Sequence, residues 1–483
     1  FSTETMVYPA TSISGQVLDS EGNGIADVTV TLYDVTNGDT QAVLHTNESG
    51  AWSCDEAYIG RTFRIRYYHA DYELEPDLQE CLIGEEPIAA ETVLATAKAA
   101  VEETPAADFT YTVLNGTYCQ ITGYTGTATA VRLPSEIDGY IVQSIGNNVF
   151  RDNKTLTTVV FPETIETIGT YLFSGCTALT DVRLNYGLTN VGDYTFHGCT
   201  SLEDITLPGS VTTVGSRAFY GCTGLQRVTI SEGTTSIGTY AFYGCNALTE
   251  VNLPEGLLTI SHWTFQNCTA LESIVLPDSV ETIGRSAFEN CSKLREVHLP
   301  LNWKSCPTSN SSHSHDNRGF VFSGCSSLTK IEIPEGATVI PAYAFRGCTY
   351  LEEVVLPSTL TTIESYAFNE CTSLQSVETG PALTTIGESA FSGCTGLAEV
   401  TLSEGLQTMG GSAFYNCSAL TGIVLPGTLT TVPSYAFADC TGLRSVTVSA
   451  GTTTIDTYAF YGCSGLTELE LPEGHQVIAT CAL

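Results

Sequence analysis

The sequence predicts a mainly β protein, a solenoid of about 14 repeats of 23 residues with one parallel strand each, preceded by a small β-sandwich. Three observations carry that prediction. Cys176, Cys199, Cys222, Cys245, Cys268 and Cys291 fall 23 residues apart, as do Cys325, Cys348, Cys371, Cys394, Cys417, Cys440 and Cys463. A phenylalanine stands three residues before each and a leucine three residues after, as in Phe219-Tyr220-Gly221-Cys222-Thr223-Gly224-Leu225. After the leucine, apolar and polar residues alternate, as in Leu202-Glu203-Asp204-Ile205-Thr206-Leu207, the period-two signature of a strand.

Residues 11–99 lie outside this register. Ser12 to Asp19, the turn Gly22-Asn23-Gly24, and Val28 to Tyr33 read as strand, turn, strand. Further strands are expected over 41–46, 51–54, 62–68 and 92–98, a spacing that suits a small sandwich. The order Gly15-Gln16-Val17-Leu18-Asp19, Gly24 to Leu32, Thr46-Asn47-Glu48-Ser49-Gly50-Ala51-Trp52 resembles the carboxypeptidase regulatory-like and Cna-B-like modules. That resemblance implies an immunoglobulin-like or transthyretin-like sandwich serving as a spacer. Some such modules carry a lysine-to-asparagine isopeptide bond; no lysine precedes Lys98, so none is expected. Glu102-Glu103-Thr104-Pro105-Ala106-Ala107 reads as a linker over 100–108, and 109–145 as a cap on the first coil of a repeat domain over 109–483.

Within a repeat, proline often ends the strand, as at Pro208, Pro254 and Pro277, because it has no N–H to give the ladder. A second apolar residue and a glycine follow, as in Ile237-Gly238. The return leg is too short for a long helix, so a tight turn or 3₁₀ segment is expected there. One repeat cannot bury enough apolar surface to hold itself together; stacked, equivalent side chains meet above and below and the core becomes continuous. The string Ile-Gly-x-x-Ala-Phe-x-x-Cys-x-x-Leu, followed by Leu-x-x-Val/Ile-x-Leu, resembles the BspA-like leucine-rich repeats found on bacterial surface proteins. The resemblance implies a secreted or surface-displayed bacterial binding protein that adheres to host matrix, mucosal or microbial protein or glycan ligands. The alternative is a passive structural element of the envelope without a specific ligand.

Composition narrows the partners. With 53 acidic against 18 basic residues the formal charge is −35, which repels nucleic acid and anionic lipid. No apolar run is long enough to span a membrane. The evenly spaced thiols are expected to be buried and free, as small hydrophobes; Cys54 and Cys81, off the ruler in one module, could bridge.

Three groups are candidates for ligand binding. Asp181, Asp204, Glu250, Glu296, Glu353, Glu399 and Glu468 share one outward strand position, which would suit a cationic ligand or merely block aggregation. Tyr171, Tyr194, Tyr240, Trp263, Phe320, Tyr343, Tyr366, Tyr435 and Tyr458 recur two residues before the phenylalanine, where they could stack on sugars or peptides or simply on each other. Between Cys291 and Cys325 lie 34 positions instead of 23, an insertion placed within 301–312 that includes Trp303 and could be a recognition loop or an inert one. His313-Ser314-His315-Asp316 has no partner at a known metal spacing. His45-Thr46-Asn47-Glu48 matches the zinc carboxypeptidase spacing by coincidence, and Asp19 to Gly24 starts like a calcium loop but reads as a hairpin turn. No catalytic motif, cofactor or metal site is expected, and neither ligand identity nor oligomeric state is readable.

Overall fold

The computed structural model describes residues 10–35, 39–301, 319–472 and 477–482. They pack as two compact units. One holds residues up to Ala218 with Val228–Thr235 and Asn252–Leu257; the other holds Phe219–Arg227, Ser236–Val251 and Leu258 onward.

The first unit opens with nine strands: β1 (Ala10–Asp19), β2 (Thr29–Asp34), β3 (Asp39–His45), β4 (Ala51–Tyr58), β5 (Thr62–Tyr68), β6 (Tyr72–Glu75), β7 (Leu78–Leu82), β8 (Ile88–Ala89) and β9 (Val93–Ala97). They form two sheets, β4-β1-β9-β6 with β8 beside β1, and β3-β2-β5-β7. Val17, Trp52 and Val93 of one sheet share a core with Val30, Leu32 and Phe63 of the other, so period-two burial closes the module from both sides. Cys54 and Cys81 are free thiols on strands of different sheets. Asp19 Oδ1 accepts the N–H groups of Glu21 and Asn23, and Oδ2 the Asn23 amide. The carboxylate that begins the calcium-like string is thus used up in an Asx turn.

Segment 100–108 is tied to the coils: Glu103 bridges Arg132, the Thr104 N–H donates to the Arg132 carbonyl, and Ala106–Asp108 form a 3₁₀ turn. Strands Phe109–Val113 and Tyr118–Tyr124 pair antiparallel, and the second then pairs parallel with Tyr140–Ile145, starting the parallel stack.

Most of the described coils have two strands, not one. The alternating run forms the first, so that Thr158–Val160 pairs in parallel with Asp181–Arg183, and Ser376–Glu378 with Glu399–Thr401. The second is a dipeptide on the return leg: Asn190–Val191 pairs with Thr213–Val214 in the first unit, and Thr259–Ile260 with Thr282–Ile283 in the second. Between them the chain runs in i→i+3 turns, with the Cys371 N–H donating to the Phe368 carbonyl and that of Leu374 to Cys371. This is the tight return expected from its length.

The phenylalanines form the spine. In the first unit Phe150, Phe173 and Phe196 stack at 5.3 and 5.4 Å between centroids. In the second, neighbours from Phe219 to Phe460 stack within 15° of parallel, as at Phe368–Phe391, 5.3 Å and 6°. Beside the spine, within each unit, ladder thiols meet the phenylalanine carbonyl of the preceding coil: Cys176 Sγ reaches Phe150 O at 3.0 Å, and Cys394 Sγ reaches Phe368 O at 3.1 Å. Where the first coil has Asn153 instead of cysteine, its side-chain oxygen accepts the N–H groups of Thr155 and Leu156, closing the same turn by another route.

Candidate functional site

The seven acids are each the first residue of their strand, so the pleat turns them away from the core. Asp204, Glu250, Glu296, Glu353, Glu399 and Glu468 are exposed; Asp181 is half-buried because Arg183 holds it at 2.8 Å. Cations share the position: Arg227 and Lys330 also begin strands, and Lys330 pairs with Glu353 at 2.8 Å. The column is therefore of mixed charge at these points. Sequence reasoning missed its neighbour, the third strand position, where Val275, Val355 and Val424 stand exposed at 68%, 38% and 57%. A valine two residues past the outward first position of the strand, as at Glu353–Val355, is legible as outward from alternation. A cleft of about 490 Å³ lies at this face, lined by Arg295, Glu296, His298, Lys330, Glu332 and Pro334 among others.

The aromatic column has a conformation that its residue types hide. Tyr171, Tyr194, Tyr240, Trp263, Phe320, Tyr343, Tyr366, Tyr435 and Tyr458 all have φ between 46° and 62°, the left-handed region that bulky residues avoid. Two hydrogen bonds fix the turn: the Tyr366 N–H donates to Glu388 O of the next coil, and the Tyr366 carbonyl accepts the Asn369 N–H. The rings then lie over one another. Tyr171 stacks on Tyr194 at 4.4 Å, Tyr240 on Trp263 at 4.7 Å, Tyr343 on both Phe320 (4.6 Å) and Tyr366 (4.7 Å), and Tyr435 on Tyr458 at 5.1 Å. Arginines extend two of these stacks, Arg217 over Tyr194 and Arg285 over Trp263. The rings are half-buried by this packing, except Tyr435, which is exposed. Trp303, the 302–312 part of the insertion and His313 to Asp316 lie outside the described residues.

Burial sets the chemistry of the thiols. Cys176 and Cys394 are pushed up to about 12 by loss of water around the thiolate, and burial likewise raises Cys245 and Cys371 well above the ordinary thiol range. These are not nucleophiles at neutral pH. Among the described residues no three His, Cys, Asp or Glu side chains are grouped to hold a metal, and no helix is long and apolar enough to cross a membrane.

In the first unit the N-terminal module lies on the coils. Arg183, buried, reaches Asp71 at 3.3 Å as well as Asp181, while Asp71 also takes Arg132 at 2.8 Å. Arg64 faces Glu232 and Glu255 at 3.5 and 3.6 Å, and the Tyr68 hydroxyl donates to the Leu184 carbonyl. Burial pushes the Glu232 carboxyl up despite Arg66 and Arg64 beside it.

The repeat register, two strands per coil and thiol-lined spine coincide with a match to the family model described as the BspA type leucine rich repeat region, over residues 143–271, 212–314, 318–444 and 410–483. The chain belongs to the BspA-type leucine-rich repeat family. Among solved structures, this BspA-type chain is similar to a leucine-rich repeat protein from Bacteroides ovatus, at 27% identity over 79% of this chain and 98% of that one, TM-score 0.65. It is also similar to a leucine rich cell surface protein from Faecalibacterium prausnitzii, at 24% identity over 77% and 95%, TM-score 0.42. No curated protein matches it. The family match indicates no enzyme family.

Proposed function

We propose that this BspA-type chain is a bacterial cell-surface or secreted binding protein whose coils contact protein or glycan ligands of a host matrix, mucosal or microbial surface. The observation that carries this reading is the column of pre-stacked aromatic rings. Each ring is held in a left-handed turn by backbone hydrogen bonds and leaves an edge or face in water. Rigid tyrosines contribute contact area at little entropic cost, which is where binding energy concentrates at interfaces. The exposed valines and carboxylates of the strand face add a second surface with both apolar and polar contacts. The formal charge of −35 disfavours polyanionic ligands and favours neutral glycans or basic proteins.

The test is a screen of the purified chain against immobilised matrix proteins and neutral glycans. A saturable interaction that falls at least tenfold in Tyr343→Ala/Tyr366→Ala or in Tyr435→Ala supports the reading. Saturable binding that none of these changes weakens would reassign the site, and no binding across the screen would favour a passive envelope element.

A further inference from the structure

We propose that the N-terminal module binds a neutral sugar in a cleft of its own. The cleft encloses about 750 Å³ and is walled by Gly15 and Gln16 of β1, Trp52 and Ser53 of β4, His45 of β3 and Thr92 just before β9, among others. That volume lies within the usual range for small-molecule sites, roughly 300–1,000 Å³. All of its walls belong to the first unit.

Trp52 carries the argument. It is only 5% exposed, yet its indole N–H has no hydrogen-bond partner among the described residues. Burial and the Cys81 thiol push the Tyr67 hydroxyl up while the neighbouring Trp52 N–H opposes them, but the two groups lack hydrogen-bond geometry and both stay unpaired. Gly15 lies directly opposite Trp52 in the β1–β4 pairing. A Cβ there would stand 2.7 Å from Nε1, Cε2 and Cζ2 of the indole, so glycine is what lets that edge of the ring reach the wall both residues line. Gly15 is not left-handed; it supplies space, not conformation. An indole N–H can only donate, and leaving it unpaired when buried costs free energy that an oxygen acceptor in the cleft recovers.

The acceptor is neutral. In a chain with 53 acidic and 18 basic residues, none of the described residues lining the cleft is Asp, Glu, Lys or Arg, so a charged ligand would lose water without gaining a counter-charge. Hydroxyls and amides stand there instead. Ser14 and Ser53, both exposed, are opposed across β1 and β4. The Gln16 amide N–H donates to the Ser49 carbonyl at 3.1 Å, which leaves the side-chain oxygen of Gln16 to accept. Leu44, Ala89 and Ala90 add apolar wall. A sugar ring presents hydroxyls and C–H faces together, and one of its oxygens takes the Trp52 N–H.

The experiment follows the indole N–H resonances of the intact, isotope-labelled chain. The chain has three tryptophans; Trp263→Phe and Trp303→Phe assign two of the signals and so identify that of Trp52 without touching it. Methyl β-glucoside, methyl β-galactoside and methyl N-acetyl-β-glucosaminide are titrated in turn, with methyl β-glucuronide as the charged match. At least one neutral glycoside should shift the Trp52 signal saturably, the glucuronide should bind more weakly, and Ser14→Ala/Ser53→Ala should weaken the affinity at least roughly fivefold. Tyr343→Ala/Tyr366→Ala, in the other unit, should leave the Trp52 response unchanged. Three results would overturn the proposal: no neutral glycoside moving the Trp52 signal saturably, the glucuronide bound as tightly, or the serine variant binding as well as the parent chain. A response confined to Trp263 would also overturn this cleft and would favour the coil surface in its place.

Discussion

Buried ladder thiols such as Cys176 and Cys394 keep their protons because burial removes the water that would solvate a thiolate. That has a consequence for stability against pH. Cys176 and Cys394 rise from 9.0 to about 12 in the folded chain, so their contribution is complete below about pH 9 and is lost as the pH climbs toward 12. Alkaline unfolding followed by circular dichroism should therefore begin in that window, and replacing both by alanine should flatten it. Phenylalanine gives the larger effect. Phe368 is fully buried between Phe345 at 5.2 Å and Phe391 at 5.3 Å, and Phe368→Ala should destabilise its cooperative unit by about 3–5 kcal/mol in denaturant titration. A loss under about 1 kcal/mol, usual for exposed sites, would contradict that packing.

An element-scale argument is needed for the aromatic column, because ring and backbone pull in opposite directions. A left-handed non-glycine residue costs roughly 1–2 kcal/mol; a stacked pair returns about 0.5–1.5 kcal/mol beyond its area, and a net backbone hydrogen bond about 1 kcal/mol. Tyr366 at φ 60° should therefore show an inverted ranking: Tyr366→Gly more stable than Tyr366→Ala by about 1 kcal/mol, whereas in an ordinary strand alanine wins. The reverse order in thermal melts would mean that the turn is not left-handed in solution. This conformation could not be read from the sequence, since tyrosine is a poor left-handed residue and only the inter-coil hydrogen bonds select it. Immediately before each ladder cysteine the chain gave better warning: the second left-handed column falls on residues such as Gly175, Gly244, Asn267 and Asn290, types that favour that region. The first strand of each coil was legible from alternation, as at Glu399–Thr401. The second, such as Thr385–Ile386, has only two residues and cannot display a period.

At the scale of the whole molecule, repetition was legible and the seam was not. Fourteen phenylalanines in register predict a stacked interior from local spacing alone, and the spine in each unit has that form. The pairing of Asp71 with Arg183 joins residues 112 positions apart, and nothing periodic marks either partner. Arg183→Ala should strip Asp71 and Asp181 of their buried donor and cost about 1.5–3 kcal/mol, with faster hydrogen exchange in β5 and in strand Asp181–Arg183. Unchanged exchange in both would show that the ion pair does not hold the seam. The central claim is that equivalent side chains fill the interior of each unit, coil upon coil. Its most direct test is thiol footprinting of the native chain with site-by-site readout by mass spectrometry. Cys481, exposed, should label at once, and Cys176 through Cys440 on the ladder, all buried, should label only after unfolding. Ladder cysteines labelled in the native chain as fast as Cys481 would contradict it.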